Sequence, residues 1–136
     1  MANSLGEVFV LKTSDRINGI PAILKKIGID DFSDKRVALK ANYNSADAFP
    51  ASTHIDTLRI LVETLKGEGT KSITLAERSG MGDTRAVLDQ MGVLALSNEL
   101  GFDTVVLDEV GKENWIKWAA EMQRTFFSGK KRKDFI

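Results

Sequence analysis

Two polar clusters in the middle of this chain carry side chains that could bind a ligand. The first follows a short apolar run and contains Lys40, Asn42 and Asn44. The second follows another apolar run and contains Glu77, Arg78 and Ser79. Ammonium, guanidinium and amide groups supply the hydrogen-bond donors that orient a carboxylate, a phosphate or a sugar-like ligand. In the alternative interpretation the asparagines close a turn and Lys40 points into water.

A third polar cluster, Ser52, Thr53 and His54, stands where an amphipathic helix should begin. The free amides and the dipole of a helix N-terminus favour an anion there. N-capping by Ser52 or Thr53 explains the same residues without a ligand. His54 is the only histidine in the chain, so it is the candidate for proton transfer near neutral pH. A lone histidine without clustered carboxylates does not indicate a metal site, and none is predicted.

The segment after Ser79 contains two glycines and leads to Arg85. Arg78 or Arg85 could hold a phosphate or carboxylate bidentately, or the segment could be a plain turn in which Asp83 caps the next helix. The segment matches neither the dinucleotide fingerprint nor the P-loop. Further along, Asp108 and Glu109 could coordinate a cation beside Glu77 or lie in a solvated loop.

Apolar periodicity predicts strands that alternate with helices. The predicted strands are Val8–Lys12, Arg36–Lys40, Ser72–Ala76 and Thr104–Leu107. One helix is predicted after Asp15, and a second begins after Ser52 or Thr53 and ends at Gly67 and Gly69. A third begins after Asp83, is interrupted at Gly92 and ends at Gly101. A last helix is predicted over Lys112–Phe127. This rhythm predicts a three-layer α/β/α fold, Rossmann-like, with a mostly parallel sheet of about four strands. Right-handed crossovers would then bring the polar clusters to one edge of the sheet, at the carboxyl ends of neighbouring strands.

Length and composition predict a single α/β domain over residues 1–128, followed by a basic, flexible tail over residues 129–136. Lys plus Arg and Asp plus Glu are equal at 19 each, so no overall field favours nucleic acid or an anionic membrane. The chain has no cysteine, which excludes an iron–sulfur cluster held by its own thiolates; the cofactor is otherwise unknown. No apolar run is long enough for a membrane helix and the first residues do not form a signal peptide, so a cytoplasmic location is expected.

Trp115 and Trp118 share one face of the last predicted helix. Such a stripe is typical of a core. It could instead serve self-association or bind a partner protein.

Several separated motifs resemble one known family. These are Val37–Asn42, Pro50–His54, Ser72–Gly80 and Thr84–Gly92, and they resemble the family described as domain of unknown function 362, over about residues 36–110. The proline that often follows the family's histidine is Ile55 here, and the family's Lys-Pro-Asn is Lys40-Ala41-Asn42. Because family members usually extend further, the resemblance implies that this chain corresponds to an amino-terminal half.

The sequence therefore predicts a domain that binds a small polar or anionic ligand through Lys40, Asn42, Asn44, Thr53, Glu77, Arg78 and Ser79. Two alternatives stay open. One is a protein-interaction module, and the other, implied by the resemblance alone, is an accessory half-domain of a redox, iron–sulfur-associated protein. Whether the chain is an enzyme is left open; if it is, His54 would transfer a proton while Lys40 and Arg78 hold negative charge.

Overall fold

A computed structural model describes residues 6–115 of the chain. It contains four α-helices and three β-strands among these residues. In chain order they are α1 (Arg16–Lys26), β1 (Arg36–Leu39), α2 (Ile55–Gly67), β2 (Ser72–Glu77), α3 (Thr84–Gln90), α4 (Val93–Leu100) and β3 (Asp103–Val106). Short 3-10 turns lie at Ile29–Phe32, Leu107–Glu109 and Lys112–Asn114. No helix within residues 6–115 has the length and apolar character needed to cross a membrane.

The three strands form one parallel sheet in the order β1-β2-β3. Val37 lies opposite Ile73, and Thr74 lies opposite Asp103. Each strand pairs with the next strand in the chain, so α2 and the α3–α4 pair are the two crossover connections. Two right-handed crossovers in the same direction place their helices on the same face of the sheet, and α2 indeed contacts α4.

The core lies between this helical face and the sheet. Along β2 the side chains alternate, with Ile73, Leu75 and Glu77 buried and the intervening residues only partly buried. Leu58, Val62 and Leu65 of α2 and Leu88 and Leu96 of α3 and α4 complete the same core cluster. Helix α1 contacts α2, and the three-layer arrangement stays a prediction.

The predicted α/β class is confirmed, but within residues 6–115 the sheet has three strands rather than the predicted four. The predicted strand Val8–Lys12 is wrong, because this segment has no strand partner within the described residues. Val8 and Val10 are 85% and 88% exposed. The β-propensity of a residue reflects how well its side chain packs on a sheet. It therefore cannot produce a strand where no neighbouring strand is available.

The predicted helices agree better with the structure. Helix α1 is capped by Asp15 as predicted, and it contains Pro21. Gly92 does interrupt the third helical segment, with a φ of 75° that suits glycine, and Gly101 ends it. The last predicted helix does not begin at Lys112, where the structure has one 3-10 turn and then extended backbone at Trp115.

The rest of that predicted helix, with Trp118, Phe126 and Phe127, lies outside the described residues. The tail at residues 129–136 lies outside them too.

Candidate functional site

The carboxyl ends of β1 and β2 are joined by an ion pair. Lys40 directly follows β1, and its Nζ lies 2.5 Å from Oε1 of Glu77, the last residue of β2. The same Glu77 oxygen accepts a hydrogen bond from the backbone N–H of Arg78 at 2.9 Å. The Glu77 side chain is completely buried, whereas that of Lys40 is 63% exposed. The pair therefore links a buried charge to the protein surface.

Four buried side-chain oxygens have no hydrogen-bond partner among the described residues: Glu77 Oε2, the hydroxyl oxygen of Tyr43, Thr70 Oγ1 and Thr104 Oγ1. Glu77 is the last residue of β2, and Tyr43 lies in the loop after β1. Tyr43 is fully buried, and this burial, together with the negative charge of Glu77, raises the pKa of Tyr43 to about 12. The two groups thus interact electrostatically without forming a hydrogen bond to each other.

The long loop after β1 is held by its asparagines. The Asn42 backbone N–H donates to Thr53 Oγ1 at 3.0 Å, its carbonyl accepts from the Thr53 N–H at 2.9 Å, and its side-chain amide donates to the Ala51 carbonyl at 2.9 Å. Asn42 and Thr53 are therefore joined through their backbones and the Thr53 hydroxyl, while the Asn42 side chain binds Ala51, and these contacts close the loop.

Asn44 and Ser79 tie this loop to the loop after β2. Asn44 Oδ1 accepts a hydrogen bond from the Gly80 N–H at 2.9 Å, and the Ser79 hydroxyl donates to the Tyr43 carbonyl at 2.7 Å. A Cβ at Gly80 would collide with Asn44 Oδ1 and push the Asn44 side chain off this hydrogen bond. These contacts fix the backbone on both sides of Tyr43.

His54 caps helix α2. Its Nδ1 accepts a hydrogen bond from the Asp56 N–H at 3.2 Å, and its ring meets Phe49 edge-on with centroids 5.7 Å apart. The prediction that Ser52 or Thr53 is the N-cap is therefore wrong, because the Thr53 hydroxyl is engaged by Asn42 and the Ser52 hydroxyl donates to the Ser45 carbonyl. Accepting a hydrogen bond at Nδ1 requires the neutral ring with its proton on Nε2.

The Arg78 side chain contacts the loop after β3. Its Nε donates to Asp108 Oδ1 at 2.8 Å, and the hydroxyl of buried Thr84 donates to the other oxygen of Asp108. The Thr84 oxygen in turn accepts from the Ser79 N–H at 2.9 Å. The Thr84 and Arg78 hydrogen bonds lower the pKa of Asp108.

Nearby, Arg85 forms a two-pronged ion pair with Glu109, at 2.7 and 2.5 Å. This contact lowers the pKa of Glu109 and raises that of Arg85. The alternative in which Asp108 and Glu109 coordinate a cation beside Glu77 is not what the structure shows, because both carboxylates hold arginines.

Among residues 6–115 no three histidine or acidic side chains come together as a group that could hold a metal ion. A cleft of about 720 Å³ lies elsewhere, between α1 and α2, lined by residues that include Asp15, Arg16 and Arg59. Arg59 is bound there by Glu99 at 2.5 and 2.7 Å. Arg59 is thus already paired, whereas the end of β2 holds a fully buried carboxylate, that of Glu77, with one oxygen that has no partner among the described residues. Chemistry therefore favours the strand ends.

The predicted site residues thus fall into connected pairs around one edge of the sheet. Lys40 forms an ion pair with Glu77, and Asn42 is hydrogen-bonded to Thr53. Asn44 and Ser79 join the loops after β1 and β2. Arg78 binds Asp108 instead, and His54 caps helix α2.

Sequence reasoning missed Tyr43 and Thr84. The signal available in the sequence was the single aromatic residue Tyr43 between two asparagines, Asn42 and Asn44.

A comparison with protein families identifies the chain. The family described as Domain of unknown function (DUF362) matches residues 37–132. The match covers the latter part of the chain and extends beyond residue 110, where the resemblance was predicted to end. The expected assignment to an amino-terminal half is not supported by this placement. No curated protein and no solved structure matches the chain. The chain belongs to the family described as Domain of unknown function (DUF362).

Proposed function

We propose that this protein binds a small polar or anionic ligand at the carboxyl ends of β1 and β2. The observation that carries the proposal is the buried Glu77 carboxylate, one oxygen of which has no partner among the described residues. Leaving a buried polar atom unpaired costs about 1–3 kcal/mol, and more for a charged group. Unpaired buried polar atoms are rare in native proteins, and each one needs an explanation. A ligand that binds to this oxygen would be such an explanation.

The position of Glu77 in the fold supports the same conclusion. Open parallel sheets bind ligands outside the carboxyl ends of their strands, and Glu77 is the last residue of the central strand. The loops that follow β1 and β2 are fastened to each other by Asn44 and Ser79. A pre-formed pair of loops reduces the entropy that a ligand would lose by ordering them.

The experiment is a thermal-shift measurement with a panel of carboxylates, phosphates, polyols and divalent cations. We expect at least one class to raise the melting temperature of the wild type in a saturable way, and to do so less in Lys40→Ala. Lys71→Ala is the matched control, since Lys71 is also exposed but lies at the opposite end of the sheet, just before β2. If no compound separates Lys40→Ala from Lys71→Ala, the proposal is refuted.

A catalytic role for His54 stays a prediction, and one pair of variants tests it. His54→Asn retains a side chain that can cap α2 but removes the titrating ring, whereas His54→Ala removes both. A proton-transfer role predicts that a reaction found for the wild type is lost in both variants. A purely capping role predicts that His54→Asn keeps the activity and the stability.

The second candidate function is a protein-interaction module, and the exposure of Trp115 favours it. Trp115 is 53% exposed, and an exposed tryptophan is typical of a contact surface. Sedimentation of the wild type and of Trp115→Ala would separate the cases, because a strictly monomeric wild type would argue against self-association. The Rossmann-like architecture and the cytoplasmic location stay predictions from the sequence.

A further inference from the structure

The cleft between α1 and α2 presents apolar side chains to solvent. Its volume of about 720 Å³ lies within the range of clefts that bind ligands. Ile60 of α2 and Pro21 of α1 line it, and so does Ile17, the second residue of α1. Ile60 is buried, but Ile17 is 72% exposed. The cleft therefore offers apolar surface that an occupant could cover.

The charged side chains that line the same cleft are mainly acidic. Asp56 and Glu63 lie seven residues apart on α2 and so share one side of the helix, and both are more than half exposed. Asp15, the N-cap of α1, supplies a third carboxylate. Of the two lining arginines, Arg59 is already neutralised by a glutamate of α4, which leaves Arg16. Three carboxylates thus outnumber one remaining cation, and the cleft favours a positively charged occupant.

The chain itself contains a segment of matching chemistry, which lies outside the described residues. Residues 130–133 are Lys-Lys-Arg-Lys, and Phe135 and Ile136 follow after Asp134. We call residues 130–136 the basic segment. It combines four cations with two apolar side chains, as the cleft combines carboxylates with apolar surface. Complementary charges of this kind favour one surface over others.

The cleft also lies within reach of this segment. Helix α2 begins after the carboxyl end of β1, and the chain leaves β3 at its carboxyl end; because the strands are parallel, both points are at the same edge of the sheet. The fourteen residues between Trp115 and Lys130 span up to about 45–50 Å when extended, whereas a folded domain of about 110 residues is roughly 35 Å across. A tethered segment has an effective concentration on the order of millimolar, so even a weak affinity suffices.

We propose that the basic segment of this chain docks in the cleft between α1 and α2. Its lysines and arginine pair with the carboxylates of Asp15, Asp56 and Glu63, and its apolar end packs on the exposed Ile17. The contact forms within one molecule. It is independent of the ligand proposed at the strand ends, and it gives the basic segment a partner inside the protein rather than an external anion.

The test attaches a nitroxide spin label to the full chain, which has no cysteine of its own. Ser128→Cys places the label just before the basic segment and leaves that segment intact. The label broadens the NMR signals of amides that come close to it. We expect the amide signals of Ile17 and Ile60 to lose at least half of their intensity at low salt. This loss should disappear in 1 M salt, where the screening length is only about 3 Å.

Two sets of variants then test the two sides of the contact. Asp56→Asn combined with Glu63→Gln should restore the signals of the cleft. The matched control combines Glu68→Gln with Asp89→Asn, which removes two exposed carboxylates that do not line the cleft, and it should keep the broadening. Replacing all four cations of residues 130–133 by glutamine leaves the cleft unchanged and should also restore the signals.

Three results would overturn the docking contact. The first is a label that broadens no signal of the cleft at low salt. The second is broadening that persists in the Asp56→Asn, Glu63→Gln variant, because the carboxylates would then not be what the segment binds. The third comes from a mixture of isotope-labelled protein without the nitroxide and unlabelled protein that carries it. Equal broadening in this mixture would mean that the segment docks on a second copy instead.

Discussion

Tyr43 provides a direct measurement of the buried site, because it is the only tyrosine in the chain. Its hydroxyl ionises at a pH that reports both its burial and the charge of Glu77. We expect the native protein to titrate near pH 12 rather than near 10.0, the ordinary value. The absorbance of tyrosinate at 295 nm follows this ionisation without interference from tryptophan, which does not titrate in this range.

The raised pKa also makes stability depend on pH, and the sign can be worked out. Below pH 10 both the folded and the unfolded protein keep the Tyr43 proton, so the pKa difference has no effect. Above pH 10 the unfolded chain loses this proton first, which favours unfolding until the folded tyrosine ionises as well. At about 1.4 kcal/mol for each pH unit, the free energy of unfolding should fall by about 2–3 kcal/mol between pH 10 and 12.

Glu77→Gln separates the two causes of the raised pKa. The amide removes the negative charge but keeps the size of the side chain, so the pKa of Tyr43 should fall yet stay above 10, because burial is the larger cause. Glu109→Gln is the control and should leave the titration unchanged. Circular dichroism at the same pH values must show that the protein is still folded. A native midpoint near 10, or equal midpoints for the wild type and Glu77→Gln, would refute the described environment of Tyr43.

Three further predictions test the contacts around this site. Tyr43→Phe should raise the free energy of unfolding by about 1–3 kcal/mol in urea titrations without ligand, since it removes a buried hydroxyl that lacks a partner; a decrease would mean that the hydroxyl is paired. Gly80→Ala should destabilise the protein by about 0.5–1.5 kcal/mol, because the new Cβ forces Asn44 away from its hydrogen bond with the Gly80 N–H. Gly6→Ala, where the same Cβ meets open space, should cost far less. Asp108 should titrate below its ordinary value in NMR spectra, with the associated stability present at neutral pH and lost as the pH falls through the lowered pKa. Thr84→Val should raise that pKa, and an unchanged value would contradict the Thr84–Asp108 hydrogen bond.

The fold from α1 to β3 was largely predictable because its signals are local and periodic. The apolar stripe of α2, the capping aspartates before α1 and α3 and the glycines after α3 and α4 each act within one or two turns of chain. The strand predicted at Val8–Lys12 failed because a strand needs a neighbour, and no local pattern supplies one. His54, rather than Ser52 or Thr53, caps α2. The Thr53 and Ser52 hydroxyl groups are instead hydrogen-bonded to the backbone of the preceding loop.

The sequence by itself determined that polar side chains follow β1 and β2 and that parallel pairing would bring these strand ends to one edge of a sheet. Only the tertiary structure decided what each side chain does there. It buried Glu77 Oε2 and the Tyr43 hydroxyl without hydrogen-bond partners among the described residues. It also paired Arg78 with Asp108, a residue thirty positions away in the chain. The physical reason is that burial and ion pairing depend on which chain segments meet in space, whereas the pattern along the chain records only what lies within a few residues.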